Sequence, residues 1–492
     1  MATTFLNYIN GQWVEPRSGR RFERENPATG EVIGSFPDSG AEDVAEAARA
    51  AAAAWEGWRH TPAPRRAEVL FRAGELMLAR KEELARDVTV EMGKVLKEGR
   101  GDVQEAIDMT YYAAGEGRRM LGYTSPSELP DKFAMAVRQP HGVVAAITPW
   151  NFPLAIPCWK LMPALITGNT AVFKPSRYSP LSAYNLMRIL EEAGLPPGVA
   201  NLVFGRGEAG AALVREPSVT MVSFTGSLEV GREIAAYCGG AGKRLHLEMG
   251  GKNAIIVLDD ADLDLAIEGA VWSAFGTTGQ RCTAASRLIA QEEVAQRLTD
   301  ALVGRARALR IGNGLDPETE MGPVVNRAAL EKVEQYMEIG RAEGASIACG
   351  GGRARGDGLE RGYFFEPTVF VDVRPQMRVA QEEIFGPVTD VIACASLEQA
   401  VAINNDVPYG LVTSIYTSDV SKAFRAMEEI TTGIVYVNAG TIGAEVHLPF
   451  GGTRGTGNGH REAGLAALDS YSEWKTLYID YSGRLQKAQI DR

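Results

Sequence analysis

Apolar residues recur at three- and four-residue spacing in the first part of the chain and gather into short runs after it. Residues 41–58 are alanine-rich and predict a helix, and the same periodicity with interleaved charges predicts helix over 64–88 and 91–121. Residues 133–138, Phe-Ala-Met-Ala-Val-Arg, predict a strand leading to Pro140. From 142 the texture changes. Gly142-Val-Val-Ala-Ala-Ile-Thr148 is a short apolar run that stops at a turn, as strands of a buried parallel sheet do. A helix over 154–166 follows, then strand 170–173, helix 181–194, strand 200–204, a helix near 207–215 and strand 221–224. Strands alternating with helices imply βαβ units and a parallel sheet.

The alternation restarts after Lys252. Strand 253–258, helix 263–278, strand 287–290, strands 368–373 and 389–393, helices 397–404 and 420–429, and strand 434–437 predict a second α/β unit. The tail 475–481 alternates like a strand with one apolar and one wettable face. A terminal strand of that kind, like 133–138, suits pairing with another subunit. There is no internal repeat and no low-complexity linker.

Composition narrows the picture. A chain of 492 residues exceeds one compact core, so two or three domains are expected. A net charge of −11 argues against nucleic acid or an anionic membrane as the main partner, while leaving room for a local basic pocket. The five cysteines are scattered, without CxxC or Cys/His clustering, so neither a disulfide framework nor a metal site is expected. No apolar run reaches the roughly 18 residues of a membrane span, and the first residues lack a leader pattern. The expected compartment is the reducing cytoplasm.

Three segments carry candidate chemistry. Gly279-Gln-Arg-Cys-Thr283 holds a cysteine in a polar flank, and Glu248-Met-Gly-Gly-Lys252 a glutamate in an apolar one. A thiolate attacks a carbonyl carbon, and a carboxylate then activates the water that releases the acyl group. In Thr148-Pro-Trp-Asn-Phe-Pro153 the Asn151 amide is a candidate donor to the oxyanion formed during attack. Singly, each has a plain alternative: a core cysteine, a surface glutamate before a Gly-Gly turn, an ordinary turn asparagine. Together they indicate covalent acyl chemistry.

Phosphate-binding candidates are weaker one by one. Gly205-Arg-Gly-Glu-Ala-Gly210 matches the dinucleotide fingerprint, but a chain with 54 glycines meets that spacing by chance, and no clear ribose-binding acid stands about 20 residues on. Phe224-Thr-Gly-Ser-Leu-Glu-Val-Gly231 leaves a strand, turns at Gly226-Ser227 and opens a helix whose first N–H groups face a pyrophosphate, or is simply a β-to-α turn. Phe173-Lys-Pro-Ser-Arg177 also ends a strand, where ligands of parallel sheets gather.

Taken together, Pro149–Pro153, Lys174-Pro-Ser176, Phe224–Ser227 with Gly231, Glu248–Lys252, Gly279–Cys282, Glu383-Ile-Phe-Gly-Pro387 and Pro449-Phe-Gly-Gly452 resemble the aldehyde dehydrogenase superfamily, in the family's order. The resemblance implies an α/β fold with a Rossmann-type cofactor domain (1–117 and 141–250), an α/β catalytic domain (251–452), and a small β oligomerisation element (118–140 and 471–492) that makes a homodimer or homotetramer. Cys282 would form a thiohemiacetal, Asn151 and the Cys282 N–H would hold the oxyanion, and Glu248 would activate water on the thioester. Lys174 and Glu383 would hold the two riboses of NAD or NADP. Phe385 would pack near the nicotinamide, and Thr225, Gly226 and Ser227 would face the pyrophosphate. Trp150, Ser176, Gly207 and Gly231 complete the cofactor set.

Two positions refine this. NAD-preferring relatives often carry Glu three residues after the lysine. Here Arg177 stands there, and an arginine attracts a 2′-phosphate that a glutamate repels, so NADP is expected to be accepted, up to a preference for it over NAD. CoA-acylating relatives generally lack the base at Glu248, so a free acid product is expected. For the substrate, Gly279–Ser286 is similar to dehydrogenases of 2-oxoglutarate semialdehyde (2,5-dioxopentanoate). Glu105, Arg281, Gly443 and Ala444 are similar to positions that hold the far end of aminoadipate semialdehyde, though Thr148-Pro-Trp150 departs from that subfamily. Either way an ω-carboxylated semialdehyde is expected, with Phe152 beside it. The alternatives are a broad-specificity aliphatic aldehyde dehydrogenase, an incidental esterase, and an inactive cofactor-binding structural protein. A structural role needs none of Asn151, Glu248 and Cys282.

Overall fold

The computed structural model describes residues 3–356 and 358–490. Two seven-stranded sheets carry the chain. In the first, strands run in the order 244–248, 219–225, 143–147, 170–174, 200–202, 7–9, 12–14. The first five are parallel, and the N-terminal hairpin adds antiparallel at the edge. In the second the order is 346–349, 368–371, 388–394, 285–291, 253–257, 412–416, 434–437, parallel except at the 346–349 edge. Strands 143–147, 170–174 and 253–257 are buried along their whole length because helices cover both faces, which is why they read as unbroken apolar runs.

Register explains where the site falls. Ile147 pairs with Lys174 and with Phe224, and Thr225 pairs with Glu248. These positions therefore end their strands side by side at the carboxyl edge of the first sheet. Residues 249–252 lead directly from that edge to the start of strand 253–257 in the second sheet. Arg287, fully buried, fixes this crossing with two hydrogen bonds to the Lys252 carbonyl, at 3.1 and 2.7 Å.

Three helices depart from their sequence pattern, two of them in the helical first part. The single helix expected over 64–88 is two, 63–79 and 81–92, hinged at Arg80, and periodicity is blind to a one-residue break in a polar stretch. The helix expected over 91–121 spans 96–116, because Gly93 (φ 94°) ends the preceding helix in the left-handed conformation. The helix expected over 263–278 stops at Phe275. Thr277 and Thr278 follow with φ of 52° and 58° in a short 3-10 turn.

Strand 472–480 pairs antiparallel with 132–140 in the same chain, and 123–126 lies on the other side of 132–140. Strand 133–138 and the tail, each expected to suit pairing with another subunit, are partners of one another here, from Ser472 opposite Pro140 to Asp480 opposite Lys132. The outer edges of 472–480 and 123–126 face away from this three-stranded sheet.

Candidate active site

Cys282 is presented by the turn that follows helix 263–275. Left-handed backbone at two β-branched residues, Thr277 and Thr278, is costly and persists because the surroundings hold it. Thr277 N–H donates to Glu98 Oε1 (2.7 Å) and Thr278 Oγ1 to the Gly322 carbonyl (3.0 Å). Asn253 Nδ2 donates to the carbonyls of Cys282 (2.7 Å) and Ala284 (2.9 Å), which ties the nucleophile turn to the start of the second sheet.

Cys282 lines a cavity of about 200 Å³ with Asn151, Trp150, Thr225, Gly226, Ser227, Glu383 and Phe385. Asn151 is buried beside the amino end of helix 155–167. Trp150 and Phe385 meet edge to face with ring centroids 5.5 Å apart. Glu383 Oε1 accepts from Gly251 N–H at 3.0 Å. A Cβ on Gly250 would lie 2.2 Å from Glu383 Oε2, so the glycine of this motif makes room for that carboxylate. Burial, with Glu248, Glu383 and Glu105 nearby, pushes the Cys282 thiol up to about 12. Burial followed by the Glu462 carboxylate holds Glu248 well above the usual carboxylate range. Glu248 itself does not line the cavity. Its neighbours Met249 and Gly250 do, and Glu248 is buried.

A larger groove of about 690 Å³ continues from this cavity through Pro149, Trp150 and Thr225–Ser227. Lys174, Ser176, Arg177, Tyr178, Arg206, Gly207, Arg215 and Tyr237 line it. Lys174 is buried, and its ammonium makes no hydrogen bond among the described residues. Burial first, then Arg177, lowers its ammonium to about 8. Ser227 caps helix 228–241, accepting from Val230 N–H at 3.4 Å, so that helix turns its amino end to the groove. Gly207 opens helix 207–215, and Gly231 is buried against Met249. Arg177 stacks over the Tyr178 ring (4.7 Å) between this groove and a smaller cavity lined by Glu23, Arg24 and Arg206.

These residues fit a dinucleotide: a groove of that length, an unpartnered ammonium, a helix amino end, and a buried carboxylate beside the thiol.

The expected substrate positions stand apart from the 200 Å³ cavity. Arg281 lies between the rings of Phe152 (5.3 Å) and Trp272 (4.9 Å), pairs with Glu98 Oε1 (3.3 Å) and donates to Thr277 Oγ1 (2.8 Å). Its Nη1 makes no hydrogen bond among the described residues. Glu105 is half-buried on helix 96–116, and burial with Asp102 pushes it up to about 8. Gly443 is exposed in the loop after strand 434–437 (φ 137°). Ala444 packs on the same apolar cluster as Cys282. Sequence reading passed over Lys94, whose ammonium sits 3.8 Å above Phe152 and 3.0 Å from Asp102. It also passed over Asn253, Thr277, Tyr178 and Arg206. Asn253 directly follows a motif it had singled out. Tyr178 directly follows another such motif and Arg206 lies inside one, whereas Lys94 and Thr277 act through contacts distant in sequence.

Comparison with known proteins agrees. The profile of the aldehyde dehydrogenase family matches residues 13–477, and the chain belongs to that family. NAD(P)-dependent oxidation of an aldehyde is the activity this gives it. It is 44% identical to the alpha-ketoglutarate semialdehyde dehydrogenase of Haloferax volcanii, over 96% of this chain and 99% of that protein. It is 41% identical to the alpha-ketoglutaric semialdehyde dehydrogenase of Bacillus subtilis, over 97% and 98%. Among solved structures it is similar to betaine aldehyde dehydrogenase from Staphylococcus aureus in complex with NAD+, with a TM-score of 0.96 and 36% identity over 98% of this chain and 96% of that one. No helix among the described residues is long and apolar enough to cross a membrane.

Proposed function

We propose that this chain oxidises an ω-carboxylated semialdehyde of the 2-oxoglutarate semialdehyde type to the dicarboxylic acid. The observation that carries the substrate class is Arg281, next in sequence to the nucleophile, with one guanidinium nitrogen left unpaired beside Phe152. The names of the relatives above support it.

Cys282 attacks the aldehyde, and Asn151 with the Cys282 N–H holds the oxyanion. Lys174 and Glu383 hold the ribose hydroxyls, and Thr225, Gly226 and Ser227 the pyrophosphate. Trp150, Phe385, Ser176, Gly207 and Gly231 shape the groove. The nicotinamide of a cofactor held there would supply the acceptor for the hydride that leaves the thiohemiacetal carbon. Glu248 swings towards the thioester and takes a proton from the attacking water. Arg177 favours acceptance of NADP alongside NAD through its positive charge. The sheet formed by 123–126, 132–140 and 472–480, with Trp474, Tyr478 and Ile479 exposed, supports subunit pairing by the 118–140 and 471–492 element. The cofactor (1–117, 141–250) and catalytic (251–452) divisions follow the two large sheets.

The test is the initial rate of nicotinamide reduction with 2-oxoglutarate semialdehyde, succinic semialdehyde, aminoadipate semialdehyde and a plain aliphatic aldehyde, each with NADP and NAD, and Cys282→Ala as control. The first substrate should give the highest kcat/KM, and the variant none. A plain aldehyde ranking first would refute the substrate class.

A further inference from the structure

The carboxyl of Glu248 is buried and lies between Gly451 and His246. A Cβ on Gly451 would lie 2.6 Å from Glu248 Oε1, so the chain leaves room for the carboxyl there. His246, two residues earlier on strand 244–248 and therefore on the same face, places Nε2 3.6 Å from Glu248 Oε1. Lys160 from helix 155–167 pairs with Glu462 and donates to Ser223 Oγ at 3.1 Å. Ser223 in turn meets the Tyr471 hydroxyl at 2.8 Å. Arg461 and His460 complete the surround from the segment after Gly457.

Most of this set is partnered. Both ring nitrogens of His246 and both oxygens of Glu248 are buried with no hydrogen-bond partner among the described residues. Four orphaned polar atoms on two adjacent side chains are expensive, and such groups call for a functional explanation. His246 is fully buried, and its ring lies 5.7 Å from that of His460, which is exposed. Glu248, His246 and His460 thus form a line from the reaction centre to solvent.

We propose that His246 relays to His460 and solvent the proton that Glu248 takes from the hydrolytic water. This rests on Glu248 being the water-activating base. In the step, the water O–H bond breaks and its oxygen bonds to the thioester carbon. The C–S bond breaks with its electron pair on Cys282, leaving the acid product and the thiolate. The water's proton goes to Glu248, then to one ring nitrogen of His246, while the other nitrogen's proton passes outward. A 3.6 Å separation is longer than a hydrogen bond, and catalytic contacts of that length commonly tighten in the working complex. Burial, then the charges of Lys160, His460 and Arg461, hold His246 well below its ordinary range, so the resting ring is neutral and has a lone pair to offer. Lys160, while charged, has none.

The experiment uses the full chain with cofactor and aldehyde, comparing His246→Gln, His246→Leu and Glu248→Gln with the unaltered protein. It records the pre-steady-state burst of nicotinamide reduction, the decay of the Cys282 thioester by intact mass after quenching, and the pH dependence of that decay. Both His246 variants should keep the burst but lose about 10-fold in thioester decay, with a displaced pH profile. Imidazole added to His246→Ala should restore part of the rate. Decay at the unaltered rate and pH dependence in both His246 variants, with Glu248→Gln still accumulating thioester, would overturn the relay alone. Unaltered decay in Glu248→Gln would overturn the base as well. Equal loss of burst and decay in the His246 variants would make the residue structural and overturn the relay.

Discussion

Asp102→Ala tests how the loop that carries Asn151 is held. Asp102 and Lys94 are both fully buried, and Nζ stands 3.0 Å from Oδ2. The other oxygen, Oδ1, accepts the Ala155 N–H at 2.8 Å, just beyond the loop that carries Asn151. Removing the carboxylate leaves the Lys94 ammonium buried without its partner and frees that amide. Breaking a buried pair from one side costs about 3–5 kcal/mol. Replacing both partners by apolar residues of similar volume is often neutral, so Lys94→Met with Asp102→Leu should recover most of that loss. The assay is the urea midpoint of inactivation and of fluorescence, for both single variants and the double. Asn151 should also lose its alignment. A missing oxyanion donor costs about 100- to 1000-fold in kcat, and a displaced one should cost on the order of 10-fold, with KM for the aldehyde little changed. An Asp102→Ala protein within about 1 kcal/mol of the parent, or a double variant no more stable than the single, would refute the reasoning.

Three other outcomes are expected. Arg177→Glu should lower kcat/KM for NADP at least about 10-fold and leave NAD unchanged or improved, measured by initial rates. Equal effects on both cofactors would show that Arg177 does not meet the 2′-phosphate. Iodoacetamide labelling of Cys282 in cofactor-free protein should rise with pH. Its thiol is pushed up to about 12, so the thiolate fraction grows about tenfold per unit between about pH 7 and 9, and a plateau in that range would contradict the burial argument. Arg281→Met should raise KM for an ω-carboxylated semialdehyde by about 10-fold while sparing a plain aldehyde, read from paired saturation curves. A parallel loss on both would mean Arg281 serves only to hold Glu98 and the Thr277 turn.

Much of the site was legible because its parts are local. The turn after strand 219–225, the lysine ending strand 170–174 and the polar flank of Cys282 each need particular residues at fixed offsets, and such offsets survive in one dimension. Helix breaks at Arg80 and Gly93 were not legible, since the periodic pattern runs through them and a tertiary contact or a single backbone angle decides. Strands 7–9 and 12–14 were missed because strands of three residues carry too little alternation.

By itself, the sequence determined the parallel α/β organisation and the order of the motifs, and it singled out Cys282, Glu248 and Asn151 as candidates. Burial of apolar strands and the backbone needs of turns act over a few residues and leave their mark on composition. Only the tertiary structure decided that Glu248 lies beside His246, that Arg281 pairs with Glu98, and that Lys94 and Asp102 pair next to the Ala155 amide. Each of those depends on which buried charge or lone pair finds a partner. In a low-dielectric interior that is settled by geometry among segments far apart in the chain.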